Sequence, residues 1–300
     1  MADMNVLGLI GNTPLLSLDI DGLKNGVKLY AKAEFINVSG SVKDRAAKAM
    51  ILQGIESGRL SRDKTVIDAT SGNTGISYAM ICSALGYKVR LCIPANVSSE
   101  RKAYMRAYGA DIVETSPLDG IDGAYNEVQR ILDENPDKYF YPDQYSNDEN
   151  WLAHYNGTGR EILSQTEGKI THFVSGTGTA GTFTGCVKRL KEYNSGIKSI
   201  MMMPDSPFHG IEGIKHPSAH VKSSFYDETL ADEVIEISTE EAYEMTKTLA
   251  GKHGLFVGIS SGANVLAALK TAENAPAGSV IVTILCDGGG RYLSNPLWEV

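Results

Sequence analysis

Short apolar, β-branched runs alternate with longer stretches of helical periodicity along most of the chain. The runs 28–35, 65–69, 88–93, 111–114, 139–141, 171–174, 199–203, 233–237 and 279–285 read as strands. Between them, 42–57, 75–85, 98–108, 123–134, 151–166, 182–193, 239–253 and 261–273 carry the 3.6-residue period of helices. This alternation predicts an α/β protein with mostly parallel sheets flanked by helices. The polar, tyrosine-rich stretch 137–150 marks a domain crossing near residue 145. The irregular stretch 204–227 interrupts the alternation, and loops of that length usually serve function.

The length of 300 residues makes one large domain or two medium ones. A 42% apolar and 21% charged composition excludes a disordered chain. Lys plus Arg at 28 against Asp plus Glu at 36 leaves a net charge of −8, which weighs against nucleic acid or an anionic membrane as the main partner. Residues 1–13 lack the layout of a signal peptide, and no apolar run approaches the ~18 residues of a membrane span. Cys82, Cys92, Cys186 and Cys286 have no CxxC spacing, so reduced thiols in a cytoplasm are expected. The six histidines show no ligand spacing, and no metal site is expected.

Four motifs at strand-to-helix junctions carry the candidate chemistry. In Asn37–Arg45 (NVSGSVKDR), Ser41 reads as a helix N-cap and places Lys43 in the first turn. There the positive end of the helix dipole lowers the amine's pKa, and a neutral lysine amine is what Schiff-base chemistry requires. Thr70-Ser71-Gly72-Asn73-Thr74-Gly75 offers hydroxyls, an amide and helix N–H groups to a carboxylate. In Gly176–Thr182 (GTGTAGT), glycines let backbone N–H groups converge on a phosphate at a helix N-terminus. Gly176, Gly178 and Gly181 also satisfy the dinucleotide fingerprint, with Asp205 after the next strand as a ribose contact. That rival, a nicotinamide-dependent dehydrogenase, leaves the first two motifs unexplained. Cys286–Ser294 (CDGGGRYLS) closes the last strand, where open α/β sheets place ligands. An activated lysine, a carboxylate loop and a phosphate cup together form a site for pyridoxal phosphate holding an amino acid.

With these residues assembled, the sequence resembles the cysteine synthase (O-acetylserine sulfhydrylase) family, of the fold-type II, tryptophan-synthase-β-like class. The likeness runs from Ile10-Gly11-Asn12-Thr13-Pro14-Leu15 to Arg291-Tyr292-Leu293-Ser294, and Arg106–Ala110 with Cys286-Asp287 is most similar to the B-isozyme branch. The resemblance implies two domains, each a mostly parallel sheet flanked by helices. A smaller mobile domain over 36–145 carries the substrate loop, and 1–35 with 146–300 form a larger, cofactor-binding domain. It implies Lys43 as the Schiff-base residue, Asn73 at the cofactor's 3′-oxygen, and Thr70, Ser71, Thr74 and Gln144 on the substrate carboxylate. Gly178, Thr179, Ala180, Gly181 and Thr182 match the phosphate loop.

The implied activity is synthesis of L-cysteine from O-acetylserine and sulfide through an α-aminoacrylate, in a homodimer. A cysteine-degrading, sulfide-releasing lyase, a cystathionine β-synthase-type enzyme and an O-phosphoserine sulfhydrylase are alternatives within the family. A scaffold that has lost catalysis is one outside it, and Lys43, Asn73 and Gln144 together speak against that.

The chain departs from the family pattern in places. Ala180 stands where a second glycine is usual, a change tolerated at negative φ. Asn37-Val38 replaces Asn-Pro, and Asp68-Ala69 replaces Glu-Pro. The partner of the pyridine nitrogen is commonly a serine; here Ser260, Cys286 and Asp287 are candidates. Lys215 lies where relatives that accept O-phosphoserine carry a cation, and Glu212, three residues away, is positioned to neutralise it.

Overall fold

The computed structural model describes residues 5–298 apart from 22, 24, 25, 217 and 219–222. Two sheets organise it. The larger runs in the order β1 (Leu15–Leu18), β2 (Lys28–Ala33), β10 (Val280–Leu285), β7 (His172–Gly176), β8 (Lys198–Pro204), β9 (Glu233–Ile237). Only β1 is antiparallel to its neighbour. The smaller sheet is wholly parallel, in the order β5 (Asp111–Thr115), β4 (Lys88–Pro94), β3 (Thr65–Ala69), β6 (Tyr139–Phe140). Every residue of β10 is buried, as expected for a strand covered on both faces.

Helices cover both faces of each sheet. In the larger unit, α8 (Thr239–His253) and α9 (Ile259–Asn274) pack on one face through Leu249, Ala263 and Ala267. On the other, α6 (Gly159–Gln165) and α7 (Gly181–Tyr193) pack through Ile162, Phe183 and Leu190. In the smaller unit, α1 (Lys43–Glu56), α2 (Asn73–Leu85) and α3 (Ser99–Ala107) bury Met50, Ile76 and Met105. There α4 (Gly120–Glu134) covers the opposite face with Val128 and Ile131.

Three local expectations change. The first residue of α1 is Lys43, but its N-cap is Val42; the Ser41 hydroxyl accepts the Lys43 N–H at 3.3 Å instead of capping deeper in the turn. The stretch expected as one helix over 151–166 is α5 (Glu149–Ala153), a π-turn over His154–Thr158, then α6. Such turns widen a helix locally and often mark functional sites. β1 was not anticipated; its four residues complete the larger sheet's edge.

A buried ionic cluster sets where α1 begins. Arg45 reaches Glu34 (Nε to Oε2, 2.7 Å) and Glu161 (Nη1 to Oε1, 2.7 Å). Lys32, fully buried in β2, pairs with Glu161 Oε2 at 2.6 Å. Burial alone would raise the Glu161 carboxyl, but the bonds from Arg45 and Lys32 outweigh it and hold it at about 2. A carboxyl depressed by folding adds stability above its unfolded pKa and loses it as pH falls toward 2. Glu161→Gln, which leaves two buried cations underpaired, should cost about 3 kcal/mol at pH 7. Thermal unfolding at pH 7 and pH 3 should show the difference shrinking at the lower pH.

Candidate active site

All four motifs lie at carboxyl ends of parallel strands, where the two sheets face one cleft. Lys43 sits on its floor, bordering both the slot beside α7 and the wider opening beside α2. Burial lowers its pKa, and Cys286 and Asp287 oppose that shift. The sequence pointed to the helix dipole for this effect; in the fold, burial supplies the lowering.

The slot runs from the N-terminus of α7 to Ser260 and Cys286. A side chain at Gly178 would strike the Gly213 carbonyl, and one at Gly181 the Asn150 amide, so glycine is needed for this close approach. Ala180 adopts φ +63, against the expected negative value. The turn into α7 demands a left-handed residue there, so the methyl is carried under strain. Asn150 Nδ2 donates to Thr179 Oγ1 at 3.0 Å, and Ser223 Oγ donates to the Thr179 carbonyl at 2.6 Å. Behind Thr182, buried His154 lies 3.3 Å from its hydroxyl, and burial lowers the imidazole pKa so that it stays neutral.

Across the cleft, Thr70, Ser71, Asn73, Thr74 and Gln144 line the opening. The Thr70 hydroxyl oxygen accepts the N–H groups of Gly72 and Gly75, at 3.1 and 3.3 Å, and so shapes the loop. Thr74 donates to Gln144 Oε1 at 2.9 Å, and Gln144 Nε2 donates to the Ala69 carbonyl at 3.1 Å. Of the three candidates for the ring nitrogen, Ser260 and Cys286 face the slot. The Asp287 carboxylate turns away, accepting from Asn73 Nδ2 and the Tyr292 hydroxyl, both at 2.6 Å.

A family model described as "Pyridoxal-phosphate dependent enzyme" matches residues 6–287. The chain belongs to the pyridoxal-phosphate dependent enzyme family. Cysteine synthase of Aquifex aeolicus is 48% identical over 98% of this chain and 92% of its own length. Cysteine synthase B of Salmonella typhimurium is 41% identical over 95% of this chain and 93% of its own. The crystal structure of cysteine synthase from Entamoeba histolytica superposes with a TM-score of 0.94 at 37% identity, over 100% of this chain and 92% of that one.

The cleft of this pyridoxal-phosphate enzyme fits such a group on its own geometry. Asn73 Oδ1, on the wall of the slot, is buried without a partner, and a side chain at Gly178 or Gly181 would block the approach to the N-terminus of α7. The dinucleotide reading is set aside, because Asp205 is exposed and is not among the residues lining the slot. Glu212 does not neutralise Lys215. It forms an ion pair with Arg101, while the Lys215 ammonium lies 4.1 Å from the Tyr145 ring centroid. Arg101, stacked 4.7 Å from the Tyr292 ring, had no signal in the sequence, since it occupies an ordinary polar helix. Tyr292, within the Cys286–Ser294 motif, lines the opening, as do Tyr145 and Ile121, to which the sequence assigns no role.

Ala180→Gly should remove the left-handed strain, raising stability by about 0.5–1 kcal/mol net of the extra chain entropy of glycine. Calorimetry of the holoenzyme checks this; a lowered midpoint refutes it.

Proposed function

We propose that the chain performs β-replacement on an activated serine, making L-cysteine from O-acetyl-L-serine and sulfide. The observation that carries this reading is that Lys43, the glycine cradle and the hydroxyl-lined loop open on one cleft. The Gly178–Thr182 segment and the N-terminus of α7 would hold the phosphate. Ser260 would face the ring nitrogen, with the Cys286 thiol, pushed up to about 12 by burial, remaining neutral beside it. Bound there, pyridoxal phosphate supplies a moderate electron sink for charge at the substrate α-carbon. Ser71, Thr74 and Gln144 hold the substrate carboxylate, and Asn73 fixes the ring's orientation. Lys43 Nζ, its proton affinity lowered by burial, takes the α-proton as acetate leaves Cβ, and returns it once sulfide has bonded there. The 36–145 unit would close over the carboxylate and exclude water.

Borohydride reduction of the holoenzyme should fix a pyridoxyl phosphate mass on the peptide containing Lys43. Lys43→Ala should lose both that adduct and turnover while retaining the fold; turnover at the wild-type rate would refute the assignment.

Lys215 favours a second reading, in which O-phosphoserine is the donor. It lines the opening, and burial lowers its ammonium to about 8, so it remains mostly charged at pH 7. Comparing kcat/KM for O-acetylserine, O-phosphoserine and cysteine, in wild type and Lys215→Ala, ranks the donors. O-acetylserine should lead; a tenfold lead by either rival, ~1.4 kcal/mol of transition-state preference, overturns the ranking.

A cytoplasmic homodimer completes the proposal. The cysteines are all free, and exposed Leu9 and Ile36 offer apolar surface to a second copy. Sedimentation at micromolar concentration should show a dimer.

A further inference from the structure

β3 leads into the carboxylate loop through Asp68, a side chain that the chemistry above does not use. It is 1% exposed. Its Oδ1 accepts the Ala69 N–H at 2.7 Å, and its Oδ2 is buried without a partner. The titratable groups that interact with its charge come from three directions. They are Tyr78 on α2, Cys92 on β4, and Tyr141, Asp143 and Tyr145 on the segment after β6. All five are acids and none supplies a positive charge; the Ala69 N–H and the Tyr78 hydroxyl favour the ionised form of Asp68, but burial outweighs them. The Tyr141 hydroxyl is likewise buried without a partner.

Asp68 is joined to the loop through its neighbour. The Ala69 carbonyl accepts Gln144 Nε2 at 3.1 Å, and Gln144 Oε1 accepts the Thr74 hydroxyl at 2.9 Å. A displacement of Ala69 therefore reaches two of the groups that receive the substrate carboxylate.

We propose that Asp68 is a positioning residue for the carboxylate loop and supports amino-acid binding only in its neutral, protonated form. Once ionised, it places a second negative charge behind the substrate carboxylate, and it draws N–H donors such as that of Ala69 toward itself. Burial pushes this carboxyl up to about 8, so the change falls at the alkaline edge of the physiological range. The inference rests on reading Thr70–Thr74 as the carboxylate loop.

The test uses the holoenzyme and L-serine, whose binding is followed by the cofactor's absorbance. Lys215, Lys43 and the serine amine titrate in wild type and in Asp68→Asn alike, so the ratio of the two affinities isolates Asp68. Asp68→Asn should match wild type at pH 6.5 and bind serine about tenfold more tightly than wild type at pH 9.5. A ratio that stays flat across this range overturns the proposal. Infrared difference spectra should show a protonated-carboxyl band in wild type at pH 6.5 that is gone at pH 9.5 and missing from Asp68→Asn. No such band at pH 6.5 also overturns it.

If Asp68→Asn fails to fold, wild type alone decides. Serine should move the loss of the band to higher pH, because a ligand that prefers the protonated form must raise its pKa. An unmoved band is a negative result for the proposal. A separate outcome, Ser71→Ala binding serine as tightly as wild type, would overturn the carboxylate-loop reading instead and leave the Asp68 band in place.

Discussion

Arg45 carries the constraint on which the site depends. Its guanidinium is shared between Glu34, at the turn after β2, and Glu161 on α6. It sits two residues beyond Lys43, so the cluster fixes where α1 starts and how its first turn faces the cleft. Buried ions of this kind add little net stability against apolar replacements, but losing one partner leaves costly unpaired charge. The cluster therefore tolerates little movement of the lysine's helix relative to the larger sheet.

The same residues are clamped from the other side. Arg291, in the segment after β10, donates to the Gly40 carbonyl at 2.7 Å and to that of Ser39. Buried Asp44 accepts the Ser39 N–H at 2.6 Å and the Ser77 hydroxyl at 2.5 Å. Since Ser77 belongs to α2, this joins the first turns of the lysine helix and the asparagine helix. Lys43 and the Thr70–Thr74 loop are thereby tied to one another and, through Arg45, to the larger sheet on which the Gly178–Thr182 segment stands.

Charge in the cleft follows burial more than sequence neighbourhood. Glu212 and Lys215 are three residues apart, yet Glu212 pairs with Arg101, more than a hundred positions earlier, and Lys215 lies over an aromatic ring. Asp287, next to Cys286 in sequence, is drawn off by Asn73 and Tyr292. That leaves Ser260 and Cys286 facing the slot, where the proposed function puts the pyridine ring. An anion there would protonate the ring and strengthen the electron sink; neutral partners suit elimination and replacement at Cβ.

Most of the strand and helix order, the parallel sheets and the four strand-to-helix junctions that border the cleft were legible in the sequence. Each depends on local patterns: hydrophobic period, glycines at tight turns, and hydroxyls before helices. Lys43, Asn73 and the Gly178–Thr182 loop stand in compact local motifs, whereas Gln144 came only from the resemblance, and all of them line the cleft. The π-turn, the left-handed Ala180, the Arg101–Glu212 pair and the orientation of Asp287 were decided only by tertiary structure. They arise from contacts between segments distant along the chain, or from backbone demanded by close packing, and a local pattern carries neither. Desolvation belongs to the same class. The sequence supplies Lys43 and Asp68, but only the fold removes water from them, and that removal lowers the proton affinity of the amine and raises that of the carboxyl.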